Sequence, residues 1–218
     1  MTTSSLENLE SIAEGIRQRF EEIDGVREFA YKQSRDVIRT CANAIRAIHR
    51  EDWDTADELR QEAHAQVRAL HQATADYAQI YYSGYTQDCL KEYVEMEHTY
   101  ALVRQRPLLD PQTLNVEEAV WINGLAEAAT ELRRRILDII RHDHQQEAER
   151  LLSNMDEIYS ELVTFDFRDA ITGGLRRRTD TVRAVLERTR GDVTTSLRQA
   201  QLEKALANLE KKVQEGAE

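Results

Sequence analysis

Helix-breaking residues are scarce in this chain. Its 218 residues include eight glycines and two prolines, and both prolines, Pro107 and Pro111, fall in the stretch RQRPLLDPQT. Proline is the residue that most strongly interrupts a helix. Strict alternation of β-branched or aromatic residues with polar ones is also missing, whereas Ala, Leu, Arg, Glu and Gln dominate. These residues favour helix, so we predict an all-α protein.

Cysteines and long apolar runs are equally scarce. Cys41 and Cys89 are the two cysteines, too few for a disulfide framework in a chain of this length. Nowhere do about 18 apolar residues follow one another, and MTTSSLENLE lacks the basic and apolar stretches of a signal peptide. We expect a cytoplasmic protein with no membrane partner.

Positive charge is outnumbered by negative charge. There are 40 acidic and 29 basic residues, and the formal net charge is −11. This excludes a positive surface over the whole molecule, although a local basic patch can still bind a polyanion such as nucleic acid.

Apolar residues recur every three or four positions along most of the chain, which predicts about seven helices with short connections. We interpret residues 1–218 as a single domain whose tail frays from about residue 211. The predicted helices span 5–49 with a bend or a break at Gly25, 54–82, 85–104, 116–142 and 143–163, followed by one that ends at Gly191 and a last one beginning at Asp192.

Four of these boundaries rest on capping residues. Asp54 or Thr55 is predicted to cap the second helix, and Asn115 with Glu118 is predicted to form a capping box. Gly191 fits a helix C-terminus and Asp192 the cap of the next helix.

Carboxylates at helical spacing are the main candidate for chemistry. Asp88, Glu92 and Glu95 in GYTQDCLKEYVEMEH are spaced by four and three, so they share one helix face. Glu127 and Glu131 are four apart and point away from the apolar stripe of their own helix. Two such pairs facing each other can bind a divalent cation through oxygen ligands. Simple solvation is the alternative in so acidic a chain.

Basic residues at helical spacing are candidates for binding phosphates. Lys32, Arg35 and Arg39 share one face of the first helix, where they can contact RNA or form salt bridges with Glu28 and Asp36. The arginine runs 133–135 and 176–178 are wrapped around their helices, and we expect them to form ion pairs at subunit contacts.

Two further patterns leave alternatives open. Glu95 and His98 have the spacing of a di-iron ligand pair, but no other histidine follows a glutamate by three residues. A tyrosine cluster formed by Tyr77, Tyr81, Tyr82 and Tyr85 fits either a buried aromatic seam or base stacking.

Four segments, spread in order over roughly residues 25–210, resemble the translin superfamily and, within it, archaeal members of the translin-associated factor X branch. They are YKQSRDVIR, LKEYVEMEH, GLAEAATELRRRI and FDFRDAITGGLRRRTDTVRAVLERTRGDV. The resemblance implies a seven-helix fold that assembles into a hollow homo-oligomer, typically an octamer, with nucleic acid inside. In the catalytic branch, helix-borne carboxylates bind Mg²⁺ or Mn²⁺ and cleave single-stranded RNA.

The resemblance also implies roles for individual residues. The glutamate pair of the EYVE motif corresponds to Glu92 and Glu95, and Glu127 stands where eukaryotic relatives have Asp. Glu92, Glu95 and Glu127 would be catalytic metal ligands, with Glu131 as a further ligand or base. The alternative is a non-catalytic translin that binds single-stranded RNA or DNA. A purely structural helical oligomer is a third reading.

Overall fold

The computed structural model describes residues 6–141 and 144–215. Within these ranges there are nine helical segments and no strand, which confirms the all-α class. Six of the segments have 18 residues or more. The segments are α1 (Leu9–His49), α2 (Trp53–Thr74), α3 (Ala78–Tyr81), α4 (Gly84–Val103), α5 (Pro111–Leu114), α6 (Glu118–Ile140), α7 (Gln145–Leu162), α8 (Asp169–Thr172) and α9 (Leu175–Glu215).

Helices α4 and α6 form the centre of the bundle. α4 packs between α1 and α6, and α6 also packs against α7 and α9. Fourteen of the 20 residues of α4 are buried, including several charged ones. A buried charge needs a protein partner, so the polar residues of α4 are organised by the helices around it.

The apolar stripe predicted for α6 is confirmed as its core face. Its five residues are all buried, because at threes and fours they share the side that faces α4, α7 and α9. They are Leu125, Ala129, Leu132, Ile136 and Ile139.

The outer halves of α1 and α9 keep apolar faces exposed. The first buried residue of α1 is Ala30, and the residues before it include four large apolar side chains that are 49–66% exposed. Four residues near the end of α9 are 51–64% exposed. These two exposed apolar faces comprise Leu9, Ile12, Ile16 and Phe20 in α1, and Leu202, Leu206, Leu209 and Val213 in α9.

The second helix differs from its prediction at both ends. It begins at Trp53, because the side chain of Asp52 accepts a hydrogen bond from the Thr55 amide and caps the helix earlier than Asp54 or Thr55 would. It ends at Thr74 instead of continuing to residue 82, and the chain turns before α3. The turn places Ile80 in the core, and no glycine or proline marks it in the sequence.

The predicted capping box of the fourth long helix is wrong. Asn115 adopts a left-handed conformation (φ 53°) at the end of the short α5, and α6 begins three residues later at Glu118. Asparagine tolerates this conformation better than most residues. α5 itself begins with Pro111 and is capped by Asp110, which accepts from the Thr113 amide at 2.7 Å.

The predicted helix end at Gly191 is also wrong, because α9 runs through it. Val182, Leu186 and Val193 are buried along one face on both sides of the glycine. Their packing outweighs the cost of about 1 kcal/mol that glycine has within a helix. Asp192 therefore caps no helix and instead lies 2.8 Å from Arg133 of α6.

The remaining boundaries agree within a few residues, and Gly25 does not interrupt α1. The predicted starts at residues 5 and 143 and the predicted end at residue 142 lie outside the described residues, as do residues 216–218 of the predicted frayed tail. In the described ranges, no helix combines the length and apolar character needed to cross a membrane.

Candidate metal centre

Helices α4 and α6 come unusually close where the carboxylates lie. A Cβ atom on Gly124 of α6 would be 2.6 Å from Cγ1 of Val94 and 3.0 Å from the backbone oxygen of Lys91. Only glycine permits this contact without a shift of the helices. Because Glu127 follows Gly124 by about one turn, its side chain is held beside the glutamates of α4.

Three predicted site residues are brought together by this contact. Oxygen atoms of Glu92, Glu95 and Glu127 all lie within 4.8 Å of one another, and we call these residues the carboxylate cluster. Oxygens on opposite sides of one Mg²⁺ lie about 4.2 Å apart, so small side-chain movements suffice for one ion. A set of carboxylate oxygens suits Mg²⁺ or Mn²⁺. Asp88, on the same helix face, is exposed and outside the cluster.

Glu95 is the most perturbed member of the carboxylate cluster. Burial, reinforced by the negative charges of Glu92, Glu127 and Glu131, raises the pKa of Glu95 to about 8. Without a cation, this carboxyl group holds its proton at neutral pH. A strained ionisable group of this kind, beside two further carboxylates, is typical of a functional site.

Lys91 is a site residue that the sequence analysis missed. Its ammonium lies 3.0 Å from Glu92 and also donates a hydrogen bond to Glu127, so it neutralises part of the carboxylate cluster. Burial alone would lower the pKa of Lys91, but the hydrogen bonds and charges of Glu127 and Glu92 outweigh it and raise that pKa. The sequence offered one signal, the i,i+4 spacing of Lys91 and Glu95.

Glu127 is fixed from its other side by α9. Nε of Arg178 donates to Glu127 at 2.8 Å, and Nη1 of Arg178 reaches the side-chain oxygen of Asn123 and the backbone oxygen of Gly173, each at 3.2 Å. Gly173 and Gly174 both have positive φ, which allows the tight turn that aims the start of α9 at α6. Arg178 therefore forms an ion pair within the chain, as do Arg133 with Asp192 and Arg135 with Glu51.

Glu131 lies next to the carboxylate cluster rather than within it. Its carboxylate is 2.9 Å from Nε2 of His49, a buried residue of α1. Its predicted role as a metal ligand or base stays a prediction.

The other candidates are spread more widely. Lys32, Arg35 and Arg39 are exposed on α1, and Arg39 lies 2.8 Å from Asp36, as the salt-bridge alternative predicts.

His98 is buried edge-on against Trp121, and burial lowers its pKa to about 4. In the tyrosine cluster, Tyr82 is exposed while the other three members pack against the core, which favours the aromatic seam.

A second buried glutamate of α4, Glu97, faces α2. Arg60 donates to both of its carboxylate oxygens, at 3.1 and 2.7 Å, and Nε2 of His64 lies 3.2 Å away. The other ring nitrogen of His64 is 2.6 Å from the hydroxyl of Tyr93. Burial would raise the pKa of Glu97, but hydrogen bonds and charges from His64 and Arg60 outweigh it and lower that pKa. We call these four residues the Glu97 network.

Known proteins share this helical arrangement. No protein-family model matches the chain. An uncharacterised protein of Methanocaldococcus jannaschii is 32% identical over 189 residues, which make up 86% of this chain and 83% of the relative. The crystal structure of AfC3PO matches with a TM-score of 0.80 and 30% identity, covering 87% of this chain and 98% of AfC3PO.

The chain belongs to the translin superfamily. A structure of AfC3PO in complex with duplex RNA matches with the same identity and coverage and a TM-score of 0.79. Apo-NeC3PO shares the translin fold, with a TM-score of 0.77 and 17% identity over 90% of this chain and 99% of NeC3PO. The predicted translin-type fold is thus confirmed, whereas the hollow oligomer stays a prediction.

Proposed function

We propose that this translin-superfamily protein is a Mg²⁺- or Mn²⁺-dependent endoribonuclease that cleaves single-stranded RNA. The observation that carries the proposal is the carboxylate cluster, in which Glu92, Glu95 and Glu127 meet from two helices. The complex of AfC3PO with duplex RNA supports RNA as the class of ligand.

Each residue of the cluster has a definable task. When bound, the metal would supply a Lewis acid and a water of lowered pKa for hydrolysis of a phosphodiester. Glu92, Glu95 and Glu127 would hold it, and Arg178 keeps Glu127 in position. Glu95 must release its proton to act as a ligand, because its pKa is about 8 without the ion.

Glutamate at position 127, where eukaryotic relatives have Asp, is compatible with this role. Its longer side chain spans the gap to α4 and reaches both Lys91 and Arg178. Glu131 would act as an additional ligand or base beside the cluster, held by His49.

The enzyme would work inside a homo-oligomeric shell, with an octamer as the expected state. The exposed apolar faces of α1 and α9 support assembly, since apolar faces of this kind mark interaction surfaces. Lys32, Arg35 and Arg39 would then contact the RNA backbone. Light scattering on the purified protein tests this, with a mass of eight 25.2 kDa chains expected.

A non-catalytic protein that binds single-stranded RNA or DNA is the second candidate. The ammonium of Lys91 favours it, because an internal cation already neutralises part of the carboxylate cluster. In that case the cluster would be a structural feature of a nucleic-acid-binding shell.

Cleavage of a fluorescent single-stranded RNA with Mg²⁺ or Mn²⁺ decides between the two candidates. We expect the parent to cut and EDTA to stop it. Glu92→Gln and Glu95→Gln should each lower the rate by about 10²-fold or more, because a lost metal ligand removes most of the charge stabilisation in the transition state.

Asp88→Asn is the matched control, because Asp88 lies on the same face of α4 but outside the carboxylate cluster. It should cut like the parent. A duplex of the same sequence, run in parallel, tests the preference for single strands. If the parent binds RNA but cuts neither form, the nuclease proposal fails and the binding protein remains.

A further inference from the structure

A cavity of about 280 Å³ opens beside the carboxylate cluster, between α6 and α9. Its lining combines one cluster member with two arginines and two hydroxyls, an arrangement suited to an anion beside a cation site. The lining residues are Ala126, Glu127, Thr130, Arg177, Arg178 and Thr181.

The two arginines of this cavity differ in how far their donors are used. Arg178 donates to Glu127, Asn123 and Gly173. Arg177 is exposed, and among residues 6–141 and 144–215 its guanidinium has neither an ion pair nor a hydrogen bond. A guanidinium offers five donors in a planar fork that matches phosphate. Arg177 therefore presents an unused anion-binding group to the cavity.

The threonines add donors that can be redirected. The hydroxyl of Thr130 donates to the backbone oxygen of Glu127 at 2.8 Å, and that of Thr181 to the backbone oxygen of Arg177 at 3.1 Å. Hydroxyl hydrogens rotate to suit a ligand, and each of these carbonyls lies within a helix, where a backbone amide can also serve it. Both threonines can thus turn their donors towards an anion at little cost.

We propose that this cavity holds a backbone phosphate of single-stranded RNA, next to the phosphodiester at the carboxylate cluster. The inference rests on the proposed function and deepens it. Arg177 binds the phosphate directly, whereas Arg178 stays with Glu127 and links the cavity to the cluster. In a chain of net charge −11, the charge of Arg177, which has no ion pair among the described residues, supplies a local attraction for a polyanion.

The salt dependence of RNA binding tests this role. Binding of a fluorescent oligouridine is measured in EDTA, so that no cutting occurs, over a series of salt concentrations. In a plot of log K against log salt, Arg177→Gln should reduce the slope by about 0.7 for each phosphate contact that is lost from a single strand. Arg176→Gln is the matched control, because Arg176 points about 100° away around α9 and is not part of the cavity lining. Its slope should equal that of the parent.

Experiments with inorganic phosphate show whether the cavity binds a phosphate of the RNA backbone or a small free phosphate. It should compete with the oligouridine for the parent more strongly than for Arg177→Gln. If phosphate raises the melting temperature in an Arg177-dependent way while the RNA slope stays unchanged, the cavity takes a small phosphate and the RNA inference is overturned.

Three other results overturn the inference and are distinguishable from one another. Equal slope changes in Arg177→Gln and Arg176→Gln would mean that only general charge matters. A parent that fails to bind oligouridine at any salt concentration would remove the proposed function itself, whereas an unchanged slope in Arg177→Gln with normal parent binding removes this inference alone.

Discussion

Two glutamates of α4, Glu95 and Glu97, are both buried, at 8% and 2% exposure, yet their environments are opposite. Being two residues apart, they point about 200° apart around the helix. Glu95 faces α6, where burial, reinforced by the carboxylates of Glu92 and Glu127, raises its pKa to about 8. Glu97 faces α2, where burial would raise its pKa, but His64 and Arg60 outweigh this effect and lower that pKa.

The difference separates a structural charge, Glu97, from Glu95, whose role in metal binding is our proposal. The Glu97 network pairs its charges, so removing one partner leaves another buried and uncompensated. The carboxylate cluster carries three carboxylates against the ammonium of Lys91 and the shared guanidinium of Arg178, and Glu95 can ionise there only at a cost. Proteins keep such a cost where function needs it.

Breaking the Glu97 network should have the largest effect. We expect Glu97→Gln to lower the free energy of unfolding by about 3–5 kcal/mol, because Arg60 would lose its bidentate partner in a mostly buried position. Urea denaturation followed by circular dichroism measures the change. Asp57→Asn, which removes the more exposed partner of Arg60, should cost less than about 1 kcal/mol. Equal losses in both variants would contradict the distinction between the two glutamates.

Replacing Glu95 with the uncharged Gln should instead raise the free energy of unfolding. Its folded pKa of about 8 lies above the unfolded value of 4.5, so the folded state binds an extra proton between these values and the parent loses stability as the pH rises from 4.5 to 8. In EDTA at pH 7, Glu95→Gln should therefore be more stable than the parent by roughly 3 kcal/mol.

Thermal and urea unfolding at pH 5, 7 and 8 measures this gain for Glu95→Gln, and the advantage should grow with pH. Adding Mn²⁺ should stabilise the parent more than the variant, since a ligand that binds only the folded state raises its stability. An advantage that is equal at all three pH values would show that Glu95 is ionised throughout.

Most of the fold can be predicted from the sequence, because apolar periodicity reports directly on burial. The stripe of α6 and the absence of strands from residues 6–141 and 144–215 are examples. Glycine, proline and capping residues predicted the helix ends less reliably. Packing on both sides carries α9 through Gly191, and the break after Thr74 has no glycine or proline to announce it.

Only part of the candidate site could be predicted from the sequence. Spacing placed Glu92 and Glu95 on one helix face and singled out Glu127 with Glu131 on another helix, and the family resemblance implied that these residues bind a metal. Two groups balance their charge: Lys91 is the neighbour of Glu92 in the sequence, whereas Arg178 lies 51 positions beyond Glu127. Likewise, the pairing of Glu97 with Arg60 spans 37 positions. Helical spacing shows which residues share a face, whereas only tertiary packing decides what that face meets.

Replacing Lys91 should have the smallest of the expected effects. Lys91 places a cation among the carboxylates of the cluster, much as Arg60 does beside Glu97 in the Glu97 network. Its ammonium lies among the oxygens that a metal would bind, so the two cations compete. We expect Lys91→Met to bind Mn²⁺ about tenfold more tightly, or about 1.4 kcal/mol, measured by titration calorimetry. Lys32→Met, an exposed change on α1, should leave the affinity unchanged. Weaker Mn²⁺ binding by Lys91→Met would mean that the ammonium assembles the carboxylates instead of competing for them, and the two glutamate environments would then differ in degree rather than in kind.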